Sequence, residues 1–173
     1  MAFENFPPEQ KNQWCNLDAS GKTKWLDLAR KRWFRESKNH YIAEKGRTIE
    51  LPGELIRCEL DFYCAIGEAV NGPGGYFGAW FHGFDDCLFG GFGLEIPYEI
   101  IWKNSKLSKR HLDSNALEAW LQEDMDQDDE EWAREVRESW QGAETLFDVL
   151  VEAIGSVPVR FRKPEEAVKL TLR

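Results

Sequence analysis

The chain has 173 residues, 42% of them hydrophobic and 13% aromatic, and a formal charge of −9. That length suits one domain with its own core, and the composition excludes a disordered chain. No stretch reaches the roughly 18 apolar residues of a spanning helix, the first ten residues are unlike a secretory signal, and Cys15, Cys58, Cys64 and Cys87 form no CxxC pair, so a cytoplasmic protein with reduced thiols is expected.

Residues 1–46 are a Trp-rich lead-in. Lys22 to Lys38 holds seven bases and two acids, with Trp25, Trp33 and Phe34 interleaved. A basic, aromatic surface of this kind suits a nucleic acid. The spacing favours another reading. With Thr23 as cap, Trp25, Leu28, Ala29 and Trp33 share one side of a helix, a stripe that packs on the body of the protein. Arg47 to Leu51 then reads as a strand, ended by Pro52-Gly53. Glu59 to Asn71 reads as a helix burying Phe62, Ile66, Ala69 and Val70, with Gly72-Pro73 as its stop. The glycine-rich loop 72–78 leads into a short helix from about Trp80 to Phe89, ended by Gly90, Gly91 and Gly93.

Pro97 sets up a strand, Tyr98 to Trp102. Asn115 and Glu118 form a capping pair for a helix carrying Leu117, Trp120 and Leu121. Trp132, Val136 and Trp140 mark a second helix that stops at Gly142. Between Asp113 and Glu144 there are twelve acids and two bases, so this segment reads as an acidic helical hairpin. Leu146, Val149, Leu150, Ala153 and Ile154 follow the spacing of a core helix. Val168 to Arg173 alternates as a half-buried strand does. Strands separated by helices predict an α/β fold with a parallel sheet.

Few residues carry chemistry on their own. The loop at 72–78 lacks the GK[ST] ending of a P-loop and the GxGxxG of a dinucleotide fold. Its glycines permit positive φ and would present Tyr76 at the mouth of the loop. Asp85 and Asp86 are adjacent and point about 100° apart on a helix, so they cannot flank one reacting centre. Either carboxylate, on a short helix between glycines, is placed where a partner can reach it. His82 has no second ligand at helical spacing, Cys87 reads as a small buried residue, and no GxSxG nucleophile occurs. No catalytic residue, metal or cofactor is expected.

The run GPGGYFGAWFHGFDDCLFGGFGLEIPYEIIW, residues 72–102, resembles the barstar family of ribonuclease inhibitors. The family pattern is an aromatic-aromatic-Gly step, a short helix ending in Asp-Cys-Leu, a Gly-containing stop and a Pro-led strand ending in Trp. It is met by Tyr76-Phe77-Gly78, Asp86-Cys87-Leu88, Gly90-Gly91 and Pro97 through Trp102. The resemblance covers residues 47–112 and 142–173. It implies a three-stranded parallel sheet in the order 1-2-3 with packed helices (residues 47–173), to which residues 1–46, an acidic insertion at 113–141 and residues 158–165 are added. It also implies an inhibitor, of immunity or antitoxin type, that occludes the active site of a basic ribonuclease, with no direct nucleic-acid or membrane partner. Carried over position by position, the contact residues are Tyr76, Asp86, His82 and Glu152, with Gly78, Trp80 and Asp85 on the same segment. His82 stands where the family has an aspartate, Trp80 where it has an asparagine. Contact with a cationic site should therefore rest more on Asp86. Those two departures also support an alternative, a non-inhibitory module of the same fold that binds another basic protein.

Overall fold

The structure is a computed structural model that describes residues 5–40, 43–125, 138–140, 142–161 and 168–173, with the backbone alone at 37–40 and 123–125. Most of the second helix of the expected acidic hairpin, with Trp132 and Val136, lies outside the described residues, which include only 138–140 of it.

Three parallel strands make the main sheet: β2 (Thr48–Pro52), β4 (Tyr98–Lys103) and β5 (Val168–Leu172), in that spatial order. Register sets Ile49 beside Ile100, Leu51 beside Trp102 and Tyr98 beside Val168, and all six are buried. The alternate residues form a polar outer ladder, in which Lys103 pairs with Glu50 at 2.6 Å and Lys169 with Glu99 at 3.1 Å. The sheet is therefore covered on one face only, which accounts for the alternation in its strands. A second, two-stranded parallel ladder joins β1 (Glu44–Lys45) to β3 (Leu94–Glu95). The single three-stranded sheet expected from sequence omits it, because two residues are too few to show a period.

Helix α2 (Glu59–Asn71) matches its expected bounds and presses Phe62, Ile66 and Val70 into the core. Its stop is Gly72, at φ 76°. Trp102 lies at the centre of the core, its ring 5.4 Å from Phe62 and 4.8 Å from Phe147. The Trp102 indole N–H donates to Ser108 Oγ (2.9 Å), whose hydroxyl donates to the Gly53 carbonyl (2.8 Å). That relay ties α4 (Ser105–His111), a helix the sequence reading omits, to the end of β2. Helix α6 (Leu146–Gly155) begins at Thr145, whose hydroxyl oxygen accepts from the Asp148 N–H. Next comes the short α7 (Val157–Arg160).

The lead-in is built into the same core. Helix α1 (Ala19–His40) buries Trp25, Leu26, Ala29 and Trp33. It starts four residues before the expected cap: Asp18 accepts from the Gly21 N–H at 2.8 Å, while Thr23 sits one turn inside and donates to the Ala19 carbonyl. Asp113, rather than the expected Asn115, caps α5 (Ser114–Met125), accepting from the Ala116 N–H at 3.0 Å. In both cases an aspartate two or more residues upstream outcompetes the expected cap because its carboxylate reaches the free N–H groups of the first turn. Among the described residues no helix is long and apolar enough to cross a membrane.

Candidate functional site

Helix α3 (Phe81–Cys87) carries the candidate residues, and its buried side fixes it on the core. Phe84 is fully buried, 5.0 Å from the Phe62 ring and 6.4 Å from that of Phe77. Phe81 packs on Trp120 at 5.3 Å and Trp140 at 5.5 Å. Cys87 and Leu88 are sealed as well, and burial, reinforced by the Asp86 charge, pushes the Cys87 thiol far above its ordinary range. At the far end the Tyr98 hydroxyl donates to the Leu88 carbonyl at 2.7 Å, capping the last turn. Gly78, at φ 90°, starts the segment, and a Cβ there would overlap the backbone of Phe84.

What faces outward is His82, Asp86 and part of Trp80. His82 and Asp86 are four residues apart, on one side of the helix, and both are exposed. Trp80 is 44% exposed and precedes the first helical turn in extended conformation, so the helix is Phe81–Cys87, shorter than the expected span. Beside it runs a shallow groove of about 150 Å³ lined by Leu60, Tyr63, Trp80, His82 and Trp120. Glu152, on α6, is exposed too.

Two expectations need correction. Tyr76 is not presented at the mouth of its loop. It is 4% exposed, enclosed by Phe34 of α1 at 6.1 Å and by Phe92 at 6.2 Å, and burial pushes its phenol up to about 12. The cause is the lead-in, which lies across the loop. Asp85 is not an open carboxylate. Arg160 of α7 grips it through two N–H···O bonds of 2.8 and 2.7 Å, and the same guanidinium lies 4.9 Å from the Phe89 ring. The two neighbouring carboxylates thus differ in role, as their divergence on the helix requires: one is neutralised within the chain and the other faces solvent.

Sequence reasoning missed Arg160 and two residues of α1, Phe34 and Arg30. Seventy-five positions separate Arg160 from Asp85, and no local pattern signals a pairing over that distance. Phe34 and Arg30 lie off the apolar stripe of α1, and only its docked orientation brings them to the site. Among the described residues no group of three or more His, Cys, Asp or Glu side chains could hold a metal ion.

A one-faced parallel sheet with a short helix that presents His82 and Asp86 to solvent defines an α/β scaffold. The family model described as Barstar (barnase inhibitor) matches residues 46–152. The chain belongs to the barstar family. Among curated proteins and among solved structures, nothing matches it. The final strand lies beyond the matched residues, yet β5 completes the sheet beside β4.

Proposed function

We propose that the chain inhibits a ribonuclease by placing Asp86 in its active site. The observation that carries this reading is the exposed Asp86 carboxylate on a helix otherwise locked into the core. A ribonuclease stabilises a charged phosphorane-like transition state, so its site gathers cationic donors. A carboxylate offered on a rigid support meets those donors with little ordering cost and forms strong, charge-assisted hydrogen bonds. Trp80, His82 and Glu152 surround or flank the docking surface. Gly78 sets the entry of α3, and Tyr76 supports it from beneath. The acidic segment that starts at Asp113 extends the attractive field toward a basic enzyme. Such an inhibitor acts inside the cell, as an immunity protein or antitoxin.

Barnase, the enzyme in the family's description, is the probe. The wild-type chain is expected to suppress RNA cleavage by barnase, and Asp86→Ala to weaken the inhibition by at least about 2 kcal/mol. Folding stability should change by no more than about 0.5 kcal/mol, because the side chain is exposed. Unchanged inhibition by the variant removes Asp86 from this role.

A second reading, a non-inhibitory module binding another basic protein, draws on the covered Tyr76, the Asp85–Arg160 pair and the imidazole at position 82. It predicts a chain that binds barnase, or fails to, while cleavage continues at full rate.

A further inference from the structure

Helix α1 brings a second group of side chains to the face that holds Asp86. Phe34 is 55% exposed and Trp80 44%, large areas for aromatic rings. Arg30, itself exposed, lies over both, 4.8 Å from the Trp80 ring centroid and 5.8 Å from that of Phe34. Phe34 in turn meets Tyr76, whose hydroxyl lies against Gly83 of α3. A ring–guanidinium–ring ladder thus reaches, across Tyr76, the helix that carries Asp86.

The ladder is not needed to dock α1. Trp25, Leu26, Ala29 and Trp33 already bury the helix, and Lys22 is paired with the buried Asp61 at 2.6 Å. A guanidinium stacked on aromatic faces keeps its in-plane N–H donors available at the edge. Exposed Trp and Arg in one patch are the residue types that dominate binding energy at interfaces. The surface is also bipolar, with the Arg30 guanidinium and the Asp86 carboxylate both exposed, one on α1 and one on α3. Resting on the inhibitor reading of Asp86, we infer that α1 forms part of the docking surface, with Trp80 and Phe34 as apolar anchors and Arg30 as donor to an acidic side chain of the ribonuclease. The charges complement such an enzyme. Cleavage through the 2′-hydroxyl needs a proton acceptor beside the cations that hold the phosphate, and a carboxylate in that place is the counterpart of Arg30. A ribonuclease with this arrangement faces Asp86 with its cations and Arg30 with its acid.

The test is a titration of barnase with the wild-type chain and with Asp86→Ala, Arg30→Glu, Arg30→Lys, Phe34→Ala and Lys31→Glu, each first shown to unfold at the wild-type temperature. Arg30→Glu should weaken binding about 100-fold and Phe34→Ala about 10-fold, with Arg30→Lys between wild type and Arg30→Glu. Lys31, next along the helix and 69% exposed, carries the same charge change as a control and should alter affinity by less than about threefold. Equal losses for Arg30→Glu and Lys31→Glu would mean a general field and overturn the local contact. If Asp86→Ala weakens binding but Arg30→Glu and Phe34→Ala do not, the inference fails and the inhibitor reading stands. A wild-type chain that leaves barnase unbound at micromolar concentration overturns both.

Discussion

Two glycines flank the same loop and separate two costs that are often merged. Gly72 ends α2 at φ 76° with nothing within 4 Å of the place a Cβ would take, whereas Gly78 has φ 90° and the backbone of Phe84 against it. Gly72→Ala should therefore cost only the backbone conformation, φ 76° with ψ −172°, which is nearly confined to glycine, about 2 kcal/mol. Gly78→Ala adds a backbone overlap that must push α3 off the core, and should cost at least about 3 kcal/mol. Urea unfolding with an unchanged slope checks both, and equal midpoints for the two variants would show that the overlap relaxes freely. At this scale the sequence was legible where a side chain's fate depends on its immediate neighbours. Asp86 and Asp85 had to diverge, because one helical step turns them apart. Cys87 had to be buried, between Phe84 and Leu88. Tyr76 and Asp85 were misread because their partners, Phe34 and Arg160, come from segments remote in the chain.

At the scale of elements, α1 is fastened by polar contacts as well as by its tryptophans. Glu68 of α2, 1% exposed, accepts from the backbone N–H of Asn12 (2.7 Å), the Trp14 indole N–H (3.1 Å) and the backbone N–H of Gly74 (2.9 Å). One carboxylate thus joins the lead-in to the loop before α3. Asp61 is 2% exposed and is held by the Arg57 N–H at 3.0 Å and the Lys22 ammonium at 2.6 Å. Lys22→Met would leave the Asp61 charge buried without its cation, at a cost of about 3 kcal/mol. Lys22→Met combined with Asp61→Leu should recover most of that loss, since two apolar groups need no pairing. A double variant no more stable than the single one would show that the pair does more than neutralise itself. Most elements could be read from periodicity, because α6 and the strands of the main sheet each bury one side only, whereas α2, buried from Asp61 through Glu68, is enclosed nearly all round. Caps and short pieces could not. Asp18 and Asp113 win their helix starts by reach, β1 and β3 are two residues each, and α4 is placed by the Trp102–Ser108–Gly53 relay rather than by an apolar stripe.

For the molecule as a whole, protonation equilibria make the alkaline side the weaker one. Burial is the first cause that raises the thiols of Cys15, Cys58, Cys64 and Cys87, whose ordinary value is 9.0, and the phenols of Tyr76 and Tyr98, whose ordinary value is 10.0. Lys22 is raised as well: burial alone would lower it, but the Asp61 hydrogen bond and charge outweigh that. A group whose folded pKa is raised stabilises the fold fully below its unfolded pKa and loses that contribution as pH climbs toward the folded value. The unfolded chain releases thiol protons first and phenol protons next, while the folded chain keeps both. On the acid side, among the described residues, the carboxylates held low are Glu36, by its hydrogen bond from Arg35, Glu99, by its hydrogen bond from Lys169, and Asp148, where burial is outweighed by hydrogen bonds from Thr145 and Lys109. Water screens these surface pairs, so their loss on acidification is shallow. Urea unfolding in reductant should therefore give a plateau near neutrality and a fall that begins near pH 9, with each group ionised only in the unfolded chain adding about 1.4 kcal/mol per pH unit. Cys64→Ala and Cys87→Ala should each flatten that limb at some cost to the plateau, because a buried thiol is replaced by a smaller methyl group. Stability that stays level to about pH 10.5 would mean the thiols ionise as readily in the folded chain as in the unfolded one, contrary to their burial in the core.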